Sequence, residues 1–476
     1  CRDIEEIVIP PFIKHILPCA FQDCIRLRKV EFANNSQLET IGKFAFRNTP
    51  ICHVSVPYSV YQIDFGCFSY CLKLQIVEFS KRIEYLSIGD NVFEFSGLKS
   101  IVIPSSRIHF SNFWCISILN LTDIKIIANE RENIKYYDDK FIIEKSNPKS
   151  DVFDVLVFVR RGINEVTIPS FIKHIRSFAL DKLKLQKLEF SDASEMRSIE
   201  QYTLTNTSVT NFTVPSFITQ IDFTSFANNQ QILFVDFAEN SCLNLIGKYA
   251  FFKTRINSIT IPSHVTKIDN CAFMLCSNLE KVEFLPNSEL DIICSYAFSK
   301  TKISEITIPS SVTQIESFSF NSCIYLNKVH FEQNSKLTII EDSSFASTAI
   351  KSIILPSHLS RIEKNAFFKC MNLESVKFED NSSLLTIGKY SFYLTKIVEI
   401  KIPRHVVVID DYAFYCKNLA SVEFAEDSEL LYIGQNAFAQ TQIKSIRIPV
   451  SVVKIDDDAF WECNILEHIE FADKSH

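Results

Sequence analysis

Hydrophobic residues along the chain alternate in short bursts. Ser258-Ile259-Thr260-Ile261 and Lys281-Val282-Glu283-Phe284 each set two apolar side chains two positions apart, the period of a β-strand with one buried face. Such bursts recur in two alternating kinds. One kind ends in Ile-Pro or a close variant, and its proline returns at Pro10, Pro57, Pro104, Pro169, Pro215, Pro262, Pro309, Pro356, Pro403 and Pro449. All but one of the intervals are 46 or 47 residues, and Pro104 to Pro169 is 65. A unit of two coils is therefore copied along the chain and interrupted once. Ten Ile-Pro strands and nine of the Val-Glu-Phe kind (10 + 9) predict 19 coils.

Behind each strand comes a second apolar pair, such as Val265 and Ile268. Next is Asp269 in one kind of coil, or a glycine such as Gly247 or Gly388 in the other. Asp in this place suits the N-cap of a short helical turn. A phenylalanine follows in almost every coil, from Phe21 and Phe46 through Phe178, Phe273 and Phe320 to Phe460, with Leu204 filling one slot. Stacked coils would pile these rings into a buried spine, and this accounts for a chain with 42 Phe and only 8 Gly.

A net charge of -7 in 476 residues argues against a nucleic-acid partner, which needs clustered Lys and Arg. No apolar run approaches the ~18 residues of a membrane span. The chain opens inside a repeat at Cys1 and closes at His476 just after a strand, and reads as a segment of a longer protein. Of the 15 cysteines, Cys24, Cys71, Cys276, Cys323, Cys370, Cys416 and Cys463 occupy one slot behind the spine, which intervening coils fill with Thr. Cysteines two coils apart lie roughly 10 Å from one another, too far for a disulfide. They read as buried ladder residues, and no second close pair completes a zinc tetrad.

Leu279-Glu280-Lys281-Val282-Glu283-Phe284, Ile306-Thr307-Ile308-Pro309-Ser310-Ser311-Val312 and Ala366-Phe367 with Cys370 resemble the BspA-like, or Treponema pallidum-type, leucine-rich repeats. The paired coils and the Asn-Ser steps at Asn287, Asn334 and Asn381 resemble members from trichomonad-type protists. The resemblance implies an α/β repeat fold: a right-handed leucine-rich-repeat solenoid of about 19 coils, a parallel sheet on one face and short helical turns on the other. It implies no catalytic residues and a surface or secreted protein implicated in adhesion to host proteins.

The interruption breaks the phase. Residues 141–145 and 154–158 flank the turn-rich Ser146-Asn147-Pro148-Lys149-Ser150 and predict a β-hairpin, while residues 163–175 echo residues 4–16. The expected organisation is a first repeat array at 1–120, an irregular insert at 121–162 and a second array at 163–476. The insert is either a degraded coil with a spacer, or a kink or protruding contact loop.

Histidines follow the repeat, with His264, His358 and His405 two places after proline, and there is no phosphate loop, His-Glu-x-x-His or nucleophile elbow. The expectation is a protein without enzymatic activity, cofactor or metal. The residue between the two buried ones of each strand faces outward, and this column supplies the candidate binding residues on a sheet face expected to be concave: Glu189, Asp236, Glu283, His330, Lys377, Lys401, Glu423 and Arg447. An extended, rigid face of this kind suits a protein or glycoprotein ligand. Two functional readings stand: a cell-surface or secreted adhesin-like binder, and a cytoplasmic scaffold favoured by the unpaired thiols.

Overall fold

The computed structural model describes residues 3–105, 107–128 and 132–472; Cys1 and His476 lie outside them. It divides into two compact units, Cys1–Thr210 and Asn211–His476. The long strands of the repeat face number eight in the first and twelve in the second (8 + 12 = 20), and five further strands of four or five residues in the first unit belong to other sheets. The count exceeds the expected 19 because Asp123–Ile127 forms a further strand in register with Ser100–Pro104. Most long strands of the repeat face pair in parallel with the next coil, as Ser258–Ile261 does with Lys281–Phe284, and ten from Asn211–Val214 to Ser421–Phe424 form one sheet. A second parallel ladder of two-residue strands runs behind them, among them Lys267–Ile268, Ile292–Ile293 and Gln314–Ile315.

The expected helical turns are not formed: the described residues hold no helix. In their place each coil has a ridge that makes a third ladder. Cys271, Phe273 and Leu275 donate their N–H groups to the carbonyls of Ser295, Ala297 and Ser299 in the next coil at 2.8–3.0 Å. The intervening Ala272, Met274 and Cys276 donate to the carbonyl three residues back at 3.1 Å. Sending every second N–H across the coils requires left-handed backbone twice per ridge, at Cys271 (φ 58) and Leu275 (φ 61), then at Tyr296 (φ 59) and Lys300 (φ 60). Asp269 accordingly caps no helix, and its Oδ1 accepts the N–H of Asn270 at 2.7 Å. At Gly388 a Cβ would meet the carbonyl oxygen of Ile362 at 2.7 Å, a close approach that only glycine allows without displacement.

The Phe spine is present in both units. Phe273, Phe298, Phe320 and Phe345 are fully buried and stack at 5.2–5.3 Å with rings nearly parallel. Phe178 departs from the expected spine. It occupies the first left-handed ridge position (φ 63) and stacks on Tyr202 at 4.7 Å, while Leu180 fills the spine slot, fully buried.

Within the first unit, Ile134–Tyr137, Phe141–Glu144 and Val155–Val159 form an antiparallel meander, whose last strand joins the short-strand ladder at His174–Ile175. Phe141–Glu144 and Val155–Val159 are buried along their whole length, the pattern of strands covered on both faces. The buried guanidinium of Arg161 donates to the carbonyls of Ile118 (2.7 Å), Val159 (3.1 Å) and Ala179 (3.3 Å). One side chain thus serves backbone groups on both sides of the splice that the meander makes between the coil ending at Ile127 and the coils resuming at Glu165. No described helix is long and apolar enough to cross a membrane.

Candidate functional site

The long strands leave one face open. Their second and fourth residues turn inward, and the first and third are exposed in strand after strand. Glu189 lies on this face in the first unit, and Asp236, Glu283, His330, Lys377, Lys401, Glu423 and Arg447 lie on it in the second. All eight are exposed. Strand register sets each beside a defined neighbour: Glu189 by Thr167, Asp236 by Thr213, Glu283 by Thr260, His330 by Thr307 and Lys377 by Ile354. Lys401 and Glu423 are brought side by side.

Charge on the face is partly self-neutralised. Lys187 reaches Glu189 at 2.8 Å and Lys281 reaches Glu283 at 2.7 Å, each along its own strand, and Arg447 reaches Glu470 at 3.6 Å on the next. Hydrogen bonding to Glu189, then its charge, raises the pKa of Lys187. Such exposed pairs are worth little energetically. Lys377 and Lys401 depart from this scheme: Ser375 offers Lys377 no acid on its own strand, and Lys401 reaches neither Glu399 on its strand nor Glu423 on the next. Neither makes an ion pair under 4.0 Å among the described residues.

The reactive residue types are absorbed by the architecture. Cys276 donates its Sγ–H to the Phe251 carbonyl at 3.0 Å and lies 3.2 Å from Thr254 Oγ1; the same contacts recur for Cys71, Cys323, Cys370, Cys416 and Cys463. Burial pushes the Cys276 thiol up to about 12 and the Cys323 thiol up to about 11, so neither is a nucleophile. His264 and His405 face Glu289 and Glu429 of the following coil at 3.2 and 3.1 Å. Among the described residues no three His, Cys, Asp or Glu side chains converge as metal ligands would.

One feature of the face escaped the sequence reading. Phe237, Phe284, Phe331, Phe378 and Phe424, the fourth residues of their strands, are only half-buried, whereas Ile261, Ile308, Leu355, Ile402 and Ile448 are buried. Beside two of these phenylalanines the face is hollow: Phe237 with Pro262 borders a space of about 450 Å³, and Phe378 with Pro403 one of about 610 Å³. The signal was the proline, which has no N–H to give to the neighbouring coil.

Stacked parallel coils of this length, each with a long strand, a short strand and a turn ridge, with aliphatic and Phe cores, define a leucine-rich-repeat solenoid, a fold that typically serves as an interaction scaffold and indicates no enzyme family. The chain belongs to the BspA-type leucine-rich-repeat family: the family model described as "BspA type Leucine rich repeat region (6 copies)" matches residues 1–126, 155–280, 244–351 and 338–467. Among solved structures it is similar to a leucine-rich repeat protein from Bacteroides ovatus (18% identity, 88% of this chain and 92% of that one, TM-score 0.46). Another is from Eubacterium ventriosum (19%, 80% and 83%, TM-score 0.43), and a third is the pneumococcal vaccine antigen PcpA (15%, 80% and 78%, TM-score 0.42). No curated protein sequence matches.

Proposed function

We propose that this protein acts at the cell surface or after secretion, binding a protein or glycoprotein of a host or neighbouring cell through the open face of its long strands. The observation that carries the reading is the exposed column along the ten-stranded sheet of the second unit, set on a fully buried, ring-stacked core. A platform already rigid loses little conformational entropy on binding. Family membership points the same way. The thiols do not oppose it, since the repeat cysteines other than Cys463 are buried and so protected from the oxidants of an extracellular setting.

Live, unpermeabilised cells carrying tagged full-length protein should be labelled at their surface. Label that appears only after permeabilisation would leave the intracellular scaffold instead. Glycopeptide mapping provides a second readout. Asn120 and Asn211, in Asn-x-Thr sequons, are exposed, whereas Asn206 is part-buried and donates to Asp181 at 3.1 Å. Glycans are therefore expected at the first two and not at Asn206.

A further inference from the structure

Proline imposes a second period on the open face of the second unit. In coils of the Glu-Phe kind, the residue after the strand donates its N–H to the coil before. Ala238 donates to Val214, Leu285 to Ile261, Glu332 to Ile308 and Glu379 to Leu355, all at 3.0–3.1 Å. In the following coil the same position is Pro262, Pro309, Pro356 or Pro403, which has no N–H to give. The carbonyls of Phe237, Phe284, Phe331 and Phe378 therefore lose that bond, and the ladder opens beside them. The step from Ser258–Ile261 to Lys281–Phe284 holds four residue pairs in register. Four steps across a proline hold one each: Phe234 with Ser258, Lys281 with Glu305, Lys328 with Ser352, Ser375 with Glu399; at the fifth, before Pro449, the ladder between Ser421–Phe424 and Ser445–Ile448 is broken altogether. The hollows at Phe237/Pro262 and Phe378/Pro403 lie at two of these four steps.

We infer that this row of proline-opened steps receives a partner segment in the polyproline II conformation, running across the strands with one side chain entering each step. The inference rests on the open face being a protein-binding surface and names the shape of its ligand. The steps recur every second strand, about 9.6 Å apart at a parallel spacing of ~4.8 Å. A polyproline II helix turns once in three residues of 3.1 Å rise, about 9.3 Å. The two periods stay in phase over four steps. An extended β-strand presents side chains to one side about every 6.6 Å and falls out of step at once. The chemistry agrees as well: each step offers a half-buried phenylalanine, a proline wall and a carbonyl lacking its ladder donor. A polyproline II chain brings a preformed rod, and its non-proline residues keep N–H groups free of internal bonds. At the Phe378 step neither Lys377 nor Lys401 makes an ion pair under 4.0 Å among the described residues; Glu399 and Glu423 flank Lys401, whereas Lys377 stands beside Ile354, so a carboxylate on the segment is matched chiefly to Lys377.

The test titrates the full chain with labelled peptides of 6, 9, 12 and 15 residues that carry proline at every third position and one glutamate near the end. Affinity should rise with each three residues up to 12, by about tenfold per step engaged as for linked sites. A scrambled 12-residue peptide should bind at least about tenfold more weakly. Pro309→Ala with Pro356→Ala returns N–H groups to the ladder; it should leave the thermal midpoint equal or higher while weakening the 12-residue peptide about tenfold. Lys377→Glu with Lys401→Glu should weaken the same peptide at unchanged fold. Affinity that does not follow the three-residue length, or that survives both proline substitutions in a folded protein, overturns the inference. So does binding of a linear glycan in the peptide's place, or a self-association of the chain that the peptide does not displace. Proline variants that lose the peptide yet still coat partner cells sink this inference alone and spare the protein-binding reading. A protein never found at the surface sinks the location and leaves the peptide result standing.

Discussion

Cys323 is a thiol placed to donate and prevented from attacking. Its Sγ–H points at the Phe298 carbonyl at 3.1 Å beside Thr301 Oγ1 at 3.3 Å, and burial pushes it up to about 11. At pH 8 a thiol reagent should label the exposed Cys19, Cys52 and Cys242 in the folded protein and spare Cys276, Cys323 and Cys370, with all labelled after denaturation. Mass mapping of the adducts reads the difference. The same shift sets a pH dependence. A thiol whose pKa is raised on folding holds its proton in the native state after the unfolded chain has lost it, so its contribution is complete below about pH 9 and declines as pH climbs towards 11. Thermal midpoints should therefore fall over that range less steeply in Cys323→Ala with Cys370→Ala than in the parent chain. Where the lesson concerns volume rather than charge, Phe320 supplies it: fully buried between Phe298 and Phe345, its replacement by alanine should cost about 3–5 kcal/mol in denaturant titration.

At the scale of the element, the strands were legible because one buried face leaves a period of two that no other structure produces. Ser258–Ile261 and Lys281–Phe284 could be read residue by residue. The ridge was not legible. Asp269 ahead of Cys271-Ala272-Phe273 looks locally like a helix start, but a helix would keep every N–H within its own coil. Here three per ridge bond to the next coil, and at about 1 kcal/mol each they offset the roughly 1–2 kcal/mol that an L-residue loses in left-handed backbone. No sequence mark records the choice, since Tyr296, Lys300, Phe318 and Leu275 all adopt it. At exposed Lys300 (φ 60) the penalty can be removed. Lys300→Gly should raise stability by up to about 1 kcal/mol, while Lys300→Val should lower it, the opposite of the order expected in a regular strand. The candidate face divides the same way. Alternation alone exposes Lys377 and Lys401, whereas the hollow beside them depends on an N–H that Pro403 lacks in the neighbouring coil, a relation no single coil displays.

For the whole molecule, each coil touches only its neighbours, so stability is a sum of short-range terms and damage should spread over a few coils. The splice in the first unit is the sharpest place to test this. Arg161 is almost wholly buried, burial lowers its pKa to about 10, and three carbonyls from different segments depend on its guanidinium. Arg161→Ala leaves those of Ile118 and Val159 without this donor inside the protein. Buried acceptors stripped of a partner cost about 1–3 kcal/mol each, so a loss of roughly 3 kcal/mol is expected. Ser117 N–H, held by Asp181 at 2.9 Å, sits beside the same site and should lose order with it. Hydrogen exchange followed peptide by peptide should then show faster exchange across residues 114–122, 155–162 and 176–183. Protection across Ser352–Leu355 and Ser375–Phe378, many coils away in the second unit, should stay as in the parent. Uniform acceleration over both units would mean that the array melts as one cooperative body and that nearest-neighbour stacking is the wrong description of it.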